Sequence, residues 1–210
     1  MASLARGLGV AVGGLYRYFP SKTHVIAALQ VEALMKLESF VVEQLAAVEA
    51  AVVARATGES VASLAAVMAA PLCYLRHARQ SPDWHHLIDQ SLSAAEPLLD
   101  DETAAEVAQA LGAVLRPVTE RLQAAADLGH LDAGDAEART YTLWAAIHGL
   151  DHMRKRDVRV REGLRSDALT RGALRALLVG WGADAQVAEA SFQLADEALS
   201  EPVAKLEDRP

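Results

Sequence analysis

The chain has few residues of several kinds, and each shortage excludes a class of protein. Cys73 is the single cysteine among 210 residues, so an intrachain disulfide is impossible and a reducing cytosol is the expected compartment. No run of 18 residues is both apolar and uncharged, and no basic-then-apolar leader opens the chain. Aromatic residues make up only 5%, and no long stretch alternates β-branched residues. We therefore expect a cytoplasmic, helical protein that does not enter a membrane.

The residues that are abundant favour an all-α fold. Hydrophobic residues make up 52% of the chain, and the Ala, Leu, Glu, Arg and Gln that fill much of it are good helix formers. Apolar residues recur at helical spacing between capping residues, glycines and prolines. These signals predict helices at 2–8, 12–18, from Ser21 to about 55, 61–79, from 81–83 onward, 101–126, 136–155, 168–182 and 185–200.

Particular residues define these predicted helices. Ser21, Ser60 and Asp135 are the expected N-caps, because their side-chain oxygens can accept from the first-turn amides. Pro71 is expected to kink or split its helix. The apolar stripe predicted on the helix after Ser21 is Val25, Ile26, Leu29, Ala33, Leu37, Phe40 and Val41.

Charge is distributed unevenly along the chain. The formal net charge of −8 argues against general affinity for nucleic acid. Residues 1–36, however, contain four basic residues and one acidic residue, whereas the rest of the chain carries a net charge of −11. A small basic segment on an acidic body is suited to contact a polyanion at one end only.

The stretch GLGVAVGGLYRYFP at 7–20 has the properties of a helix-turn-helix. Two short predicted helices are joined by a turn in which Gly9 permits a left-handed backbone conformation. Leu15 and Phe19 lie at i and i+4 and are expected to anchor the second helix inward. The groups then left to meet phosphate oxygens are the Gly14 amide, Tyr16, Arg17 and Lys22.

Residues 9–22, GVAVGGLYRYFPSK, resemble the DNA-binding signature of the tetracycline-repressor (TetR) family of bacterial transcriptional regulators. The resemblance implies an all-α protein with a helix-turn-helix DNA-binding domain at 1–36 and a helical-bundle ligand-binding and dimerisation domain at 37–203. Beyond residue 35 the likeness is one of helix order and length, although LWAAIHGL at 143–150 is similar to the first of two helices that pair with a second subunit.

What the resemblance implies for function is a ligand-responsive repressor. Such a protein binds a palindromic double-stranded operator as a homodimer, here through helices 136–155 and 168–182, and a small-molecule effector releases it. The effector would act by moving the long helix that follows Ser21. Position by position, the implied DNA-binding residues are Ala11, Val12, Gly14, Tyr16, Arg17 and Lys22.

Two positions depart from the family pattern within this signature. The family has small hydroxyl residues where Ala11 and Gly14 stand, so a helix cap worth about 1 kcal/mol and a phosphate contact are lost. The short side chains of Ala11 and Val12 reach at most thymine methyl groups, so base reading depends largely on Arg17.

The resemblance also implies a helix ahead of the helix-turn-helix. In the family this helix would cover Leu4, Leu8, Leu15 and Phe19, and Met1 corresponds to the start of the second family helix. We therefore expect that the start codon lies further upstream and that the natural protein is longer. The alternative is a dimeric helical sensor whose degenerate head does not bind DNA specifically.

An effector site would lie among apolar side chains with a few polar groups. The candidates are Met68, Cys73, Tyr74, His77, Trp84, Leu87, Ile88, Trp144 and His148, although ordinary core or interface is the favoured explanation for each. Trp144, His148 and Asp151 share one helix face, where His148 and Asp151 are within reach of a hydrogen bond. The competing interpretation of that face is a polar patch in a dimer seam.

Signals for catalysis, metals and cofactors are weak. The chain contains no P-loop, HExxH, GxSxG or paired cysteine motif, so we predict neither an enzyme nor a cofactor; a helical enzyme that uses its histidines is a distant alternative. His85 and His86 point about 100° apart on a helix, which makes a poor metal pair and favours solvated surface. The basic run at 154–165 is interpreted as charge near a helix C-terminus rather than as a DNA contact.

Overall fold

The computed structural model describes residues 1–7, 9–55, 57–93 and 99–200. The side chains of Leu4 and of residues 91–93 are not included in that description. The expected contacts of Leu4 and Leu8, and the expected domain end at residue 203, therefore lie outside the described residues.

The prediction of an all-α fold is confirmed, because the described ranges contain helices and turns and no strand. Short 3-10 segments lie at Arg154–Arg159 and Glu162–Leu164. The α-helices are α1 Ala2–Gly7, α2 Val12–Tyr18, α3 Lys22–Ala54, α4 Glu59–Gln80, α5 Pro82–Ser93, α6 Asp101–Asp127, α7 Ala136–Met153, α8 Ser166–Gly180 and α9 Ala185–Ser200.

The chain forms two compact units. The first unit comprises residues 1–38 and 80–114, so it joins the short N-terminal helices to α5 and the beginning of α6. The second unit comprises residues 39–79 and the chain from Leu115 onward, and it contains α7, α8 and α9.

In the first unit, the buried face of α3 differs from the predicted stripe. Ala27, Gln30, Leu34 and Leu37 are buried, whereas Leu29 is 39% exposed. Each helical residue rotates the side chain by about 100°, so the face that contains Ala27 and Gln30 turns position 29 outward. The placement of Leu29 in the apolar stripe was wrong for this reason.

Two polar contacts attach α3 to α5 within the first unit. The side-chain amide of Gln30 donates to the carbonyl oxygen of Leu87 at 3.2 Å. The ammonium of Lys36 lies 4.7 Å from the centre of the Trp84 ring, a distance at which a cation is attracted to the ring face. These contacts hold the first half of α3 against a helix that lies far away in sequence.

Asp100 connects the start of α6 to the start of α3. Its Oδ1 accepts from the amide of Thr103 at 3.0 Å and from the Thr103 hydroxyl at 2.7 Å, which caps α6. Its Oδ2 accepts from the hydroxyl of Thr23 at 3.1 Å. The hydrogen bonds from Thr103 hold the pKa of the Asp100 carboxyl below its ordinary value, and the bond from Thr23 adds to them.

Helix α4 forms the core of the second unit. It is apolar on nearly all sides, which is typical of a buried helix, and it remains one helix through Pro71. Among the described residues it is the one helix long and apolar enough to cross a membrane by length and composition, and two thirds of that apolar window is buried in the protein. The N-cap prediction for Ser60 was wrong: α4 begins at Glu59, and the carbonyl of Gly58 already accepts from Ala62 at 2.9 Å.

Side-chain carboxylates accept hydrogen bonds at the starts of α7 and α8. Asp135 caps α7 as predicted, since its Oδ1 accepts from the amide of Ala138 at 3.0 Å. Helix α8 begins at residue 166 rather than 168, because the Ser166 amide and hydroxyl donate to Asp157 at 2.9 and 2.6 Å. The same bonds lower the pKa of Asp157. Helix α7 ends at Met153, before the predicted 155, because the chain tightens into a 3-10 segment there.

Replacing Asp135 with Ala removes the side-chain acceptor that starts α7. We expect a loss of about 1 kcal/mol in the free energy of unfolding, measured by urea titration followed by circular dichroism. Asp135→Asn, which keeps an acceptor oxygen, serves as the matched control. Equal stability of Asp135→Ala and the parent chain would contradict the capping role.

Asp100 should remain ionised in more acidic solution than an ordinary aspartate. Its folded-state pKa lies below the ordinary aspartate value, so its stabilising contribution is present above the unfolded pKa and is lost as the pH falls through the folded one. Carbon-13 NMR titration of the carboxyl would measure this. Thr103→Val should raise the Asp100 pKa more than Thr23→Val does, and an unchanged titration in Thr103→Val would refute the assignment.

Candidate nucleic-acid interface

The turn between α1 and α2 is fixed by a glycine in the left-handed region. Gly9 has φ +68°. Its amide donates to the carbonyl of Arg6 at 3.2 Å, and the amide of Val10 donates to the carbonyl of Ala5 at 3.0 Å. This pair of bonds is the Schellman pattern that ends a helix, and it changes the direction of the chain within three residues.

Helix α2 begins at Val12 without a side-chain cap. Ala11 precedes it with an extended backbone (φ −67°, ψ 139°), and no side chain accepts from the first-turn amides. The Ala11 carbonyl instead accepts from the amides of Gly14 and Leu15 at 3.0 and 3.2 Å. Because Ala11 has no side-chain hydroxyl, only backbone hydrogen bonds stabilise the start of α2.

The two faces of α2 differ as predicted. Leu15 is buried at 8% exposure, and Ala5 on α1 is fully buried. Tyr16 is 48% exposed and Val12 is 40% exposed. The helix therefore presents apolar and hydroxyl-bearing side chains to the outside, although it is only seven residues long.

Arg17 and Lys22 give this exposed surface its positive charge. Both side chains are exposed, and the Arg17 guanidinium lies 5.6 Å from the centre of the Tyr18 ring. Lys22 opens α3, where the Ser21 hydroxyl accepts from the amide of His24 at 3.3 Å. The Ser21 cap is thus confirmed.

All the residues predicted to contact DNA are exposed. Apart from the neighbouring residues of its own helix, no atom of the described residues lies within 4 Å of where a Cβ would stand on Gly14, so a flat surface can approach the α2 backbone closely. The DNA-contacting role itself stays a prediction, and the residues that it covers are Ala11, Val12, Gly14, Tyr16, Arg17 and Lys22.

The candidate effector residues divide between the two units. Trp84, Leu87 and Ile88 belong to the first unit, and the others belong to the second. Met68 and Cys73 are fully enclosed in the core around α4. Burial raises the pKa of the Cys73 thiol to about 12, so this side chain behaves as a small apolar group.

Three of the candidates form one cluster in the second unit. The hydroxyl of Tyr74 lies 2.6 Å from Nδ1 of His148. The ring of Trp144 stacks on His148 with centroids 5.6 Å apart and planes at 29°. His77 is buried elsewhere in this unit, against the ring of Phe40 at 5.6 Å.

Sequence reasoning missed His152, which adjoins this cluster. Its Nε2 lies 3.2 Å from Nε2 of His148. The signal was available, because the two histidines are four residues apart on α7 and therefore share a face. Asp151, which was considered as the partner of His148, lies with its Oδ1 3.3 Å from the guanidinium of Arg154.

The prediction that His85 belongs to the solvated surface was wrong. His85 is only 8% exposed, whereas His86 is exposed and bonds Gln90 at 3.1 Å. His85 and the buried Ile88 lie at i and i+3, so the inward face of α5 passes through both positions.

A cleft of about 520 Å³ in the second unit is lined by none of the candidate effector residues. Residues of α4, α8 and α9 line it, with Leu75 and Phe192 among the apolar ones. Its charged lining consists of Arg76, Arg79, Glu162, Arg165, Asp167, Arg171 and Asp196. The mixed signs of these groups indicate a polar, solvated cleft.

Comparison with known proteins agrees with the N-terminal signature. A family model described as "Bacterial regulatory proteins, tetR family" matches residues 1–29. A solved structure of a protein with unknown function from Rhodococcus sp. RHA1 is similar, with a TM-score of 0.57 and 21% identity over 86% of this chain and 83% of that chain. That similarity concerns the fold alone. No curated protein gives a significant match.

The matched residues contain the structural features described above: the left-handed turn at Gly9, the buried Leu15, the exposed Tyr16 and Arg17, and the Ser21 cap of α3. Family model and geometry therefore indicate the same element, a helix-turn-helix with an exposed second helix. The match over residues 1–29 supports a bacterial regulator of the tetR family.

Proposed function

We propose that this protein is a repressor that binds a palindromic operator as a homodimer and is released by a small-molecule effector in the cytoplasm. The observation that carries the proposal is the exposed outer face of α2, which holds Tyr16 and Arg17 on a helix anchored by Leu15. Residues 1–36 act as the DNA-binding domain, and residues 37–203 bind the effector and the second subunit.

The chemistry of the exposed face assigns a role to each side chain. Arg17 offers a planar fork of donors that matches the O6 and N7 acceptors of guanine in the major groove. The Tyr16 hydroxyl and the Lys22 ammonium suit phosphate oxygens, which position the protein without reading sequence. The close approach allowed at Gly14 brings the helix backbone to the groove wall.

The dimer proposal is supported by the outward faces of α7 and α8, which pack against each other in the second unit. On α7 the exposed positions Ala138, Thr142, Ala145 and Gly149 follow helical spacing. On α8 the exposed positions Gly172, Ala176 and Gly180 do the same. Small side chains on two adjacent helices allow the matching helices of a second copy to approach closely and form a symmetric interface.

The effector proposal rests on the Tyr74, Trp144 and His148 cluster, which combines two aromatic faces with a hydroxyl and an imidazole. An effector that binds one conformation of the dimer more tightly, while the operator binds another, couples the two ligands reciprocally.

The alternative function, a helical dimeric sensor without specific DNA binding, is favoured by one observation, the uncapped start of α2 at Ala11.

Arg17→Ala and Lys22→Ala should affect DNA binding differently. We expect Arg17→Ala to cost about 1–3 kcal/mol on the preferred sequence and to relax discrimination at one base pair. Lys22→Ala should weaken binding to all sequences alike and reduce the salt slope by about one. The measurement is fluorescence anisotropy with DNA flanking the protein's own gene, at several salt concentrations.

Arg116→Ala is the charge-matched control, since Arg116 is exposed on α6 and bridges to Glu120 within its own helix. It should bind DNA as the parent chain does. If the parent chain binds DNA without sequence selectivity, and Arg17→Ala does not change that binding, the sensor alternative is favoured.

A bulky charge on the α7 or α8 face should separate the subunits. We expect Ala145→Arg and Ala176→Arg to convert the dimer to a monomer in size-exclusion chromatography with light scattering, because an unpaired guanidinium would be buried in the seam. Ala104→Arg, at an exposed position of α6, is the matched control. Dimers of unchanged mass in both α7 and α8 variants would exclude this interface.

A further inference from the structure

His148 and His152 on α7 are placed like two ligands of one metal ion. The two Nε2 atoms lie 3.2 Å apart, and the ring planes meet at 77°. Two Zn–N bonds of ordinary length at a tetrahedral angle separate their nitrogens by about 3.3 Å. We propose that this histidine pair, one helical turn apart, binds a divalent transition-metal ion of the Zn²⁺, Cu²⁺ or Ni²⁺ class.

The protonation chemistry of the pair fits metal binding. Two neutral imidazoles at this distance share one proton, which one Nε2 donates to the lone pair of the other. When an ion enters, His152 exchanges its Nε2 proton for one on Nδ1 through solvent, so that both Nε2 lone pairs can bind the ion. Both imidazoles stay neutral, and no net proton is released.

Tyr74 positions the first ligand. Its hydroxyl oxygen lies 2.6 Å from Nδ1 of His148, so it can accept the Nδ1 proton. That tautomer leaves the lone pair on Nε2, the nitrogen that faces His152. Tyr74 is buried and comes from α4, so this orientation is imposed from outside the helix that holds the ligands.

Trp144 restrains the same ring from a second side, and the site remains accessible. The indole stacks on His148 at 5.6 Å. His148 is half-buried, whereas His152 is exposed. One ligand is therefore held in place and the other is reached from solvent, which leaves room for water at the remaining coordination positions.

The two imidazole nitrogens determine which metal ions can bind this pair. Imidazole nitrogen suits Cu²⁺, Ni²⁺ and Zn²⁺, whereas Mg²⁺ and Ca²⁺ prefer oxygen ligands. Affinity should rise from Mn²⁺ through Co²⁺ and Ni²⁺ to Cu²⁺. This inference goes beyond the proposed function: it shares His148 with the proposed effector cluster, but an ion can bind the pair whether or not the protein binds DNA.

The test is isothermal titration of the untagged full chain with Zn²⁺, with His148→Ala and His152→Ala as ligand variants. We expect each variant to lose at least about tenfold in Zn²⁺ affinity, because one of two protein ligands is gone. His86→Ala is the matched control, since His86 is an exposed histidine on α5; its affinity should equal that of the parent chain. Circular dichroism checks that every variant is folded.

A second measurement separates the positioning role of Tyr74 from general stability. Co²⁺ bound to the parent chain should give a visible absorption spectrum that Tyr74→Phe alters, with affinity lowered about tenfold. Zn²⁺ binding of equal strength in the parent chain, His148→Ala and His152→Ala would overturn the proposal. The proposal would also be overturned if His86→Ala lost as much Zn²⁺ affinity as the ligand variants, or if Mg²⁺ bound the pair as tightly as Zn²⁺ does.

Discussion

Most of this structure depends on the close packing of small apolar side chains. With aromatic residues at 5% of the chain, methyl groups occupy many of the innermost positions. Helices that meet through methyl groups approach more closely than helices separated by rings, so dispersion contacts between backbones replace aromatic bulk. The fully buried alanines are Ala5, Ala27, Ala33, Ala65, Ala69, Ala78, Ala125, Ala188 and Ala195.

Close packing also explains how hydroxyl groups enter the core. The Ser191 hydroxyl is fully buried on α9 and donates to the carbonyl of Val61 at 3.1 Å. The hydroxyls of Thr119 and Thr140 meet at 2.9 Å between α6 and α7. Because buried polar groups need partners, these bonds specify which helices meet in the second unit in a way that methyl groups alone cannot.

The helix-turn-helix relies on backbone geometry more than on a large core. Among its described side chains, Ala5 and Leu15 are the buried apolar ones, so the Schellman bonds at Gly9 carry much of the orientation of α2. The same shortage of core leaves the outer side of α2 open, and that surface is the one suited to DNA. Further along the first unit, Asp100 accepts hydrogen bonds from the start of α3 and from the start of α6. These bonds connect the helix that follows the helix-turn-helix to a part of the chain that is distant in sequence.

The sequence by itself determined the features that local bonds create. The caps at Ser21 and Asp135, the turn at Gly9 and the two faces of α2 all depend on residues within about five positions of one another. Tertiary structure decided the rest. The outward turn of Leu29 and the burial of His85 depend on which side of a helix meets its neighbour, and Tyr74 meets His148 across 74 residues of chain. Periodicity places side chains on a face, but only packing decides what that face contacts.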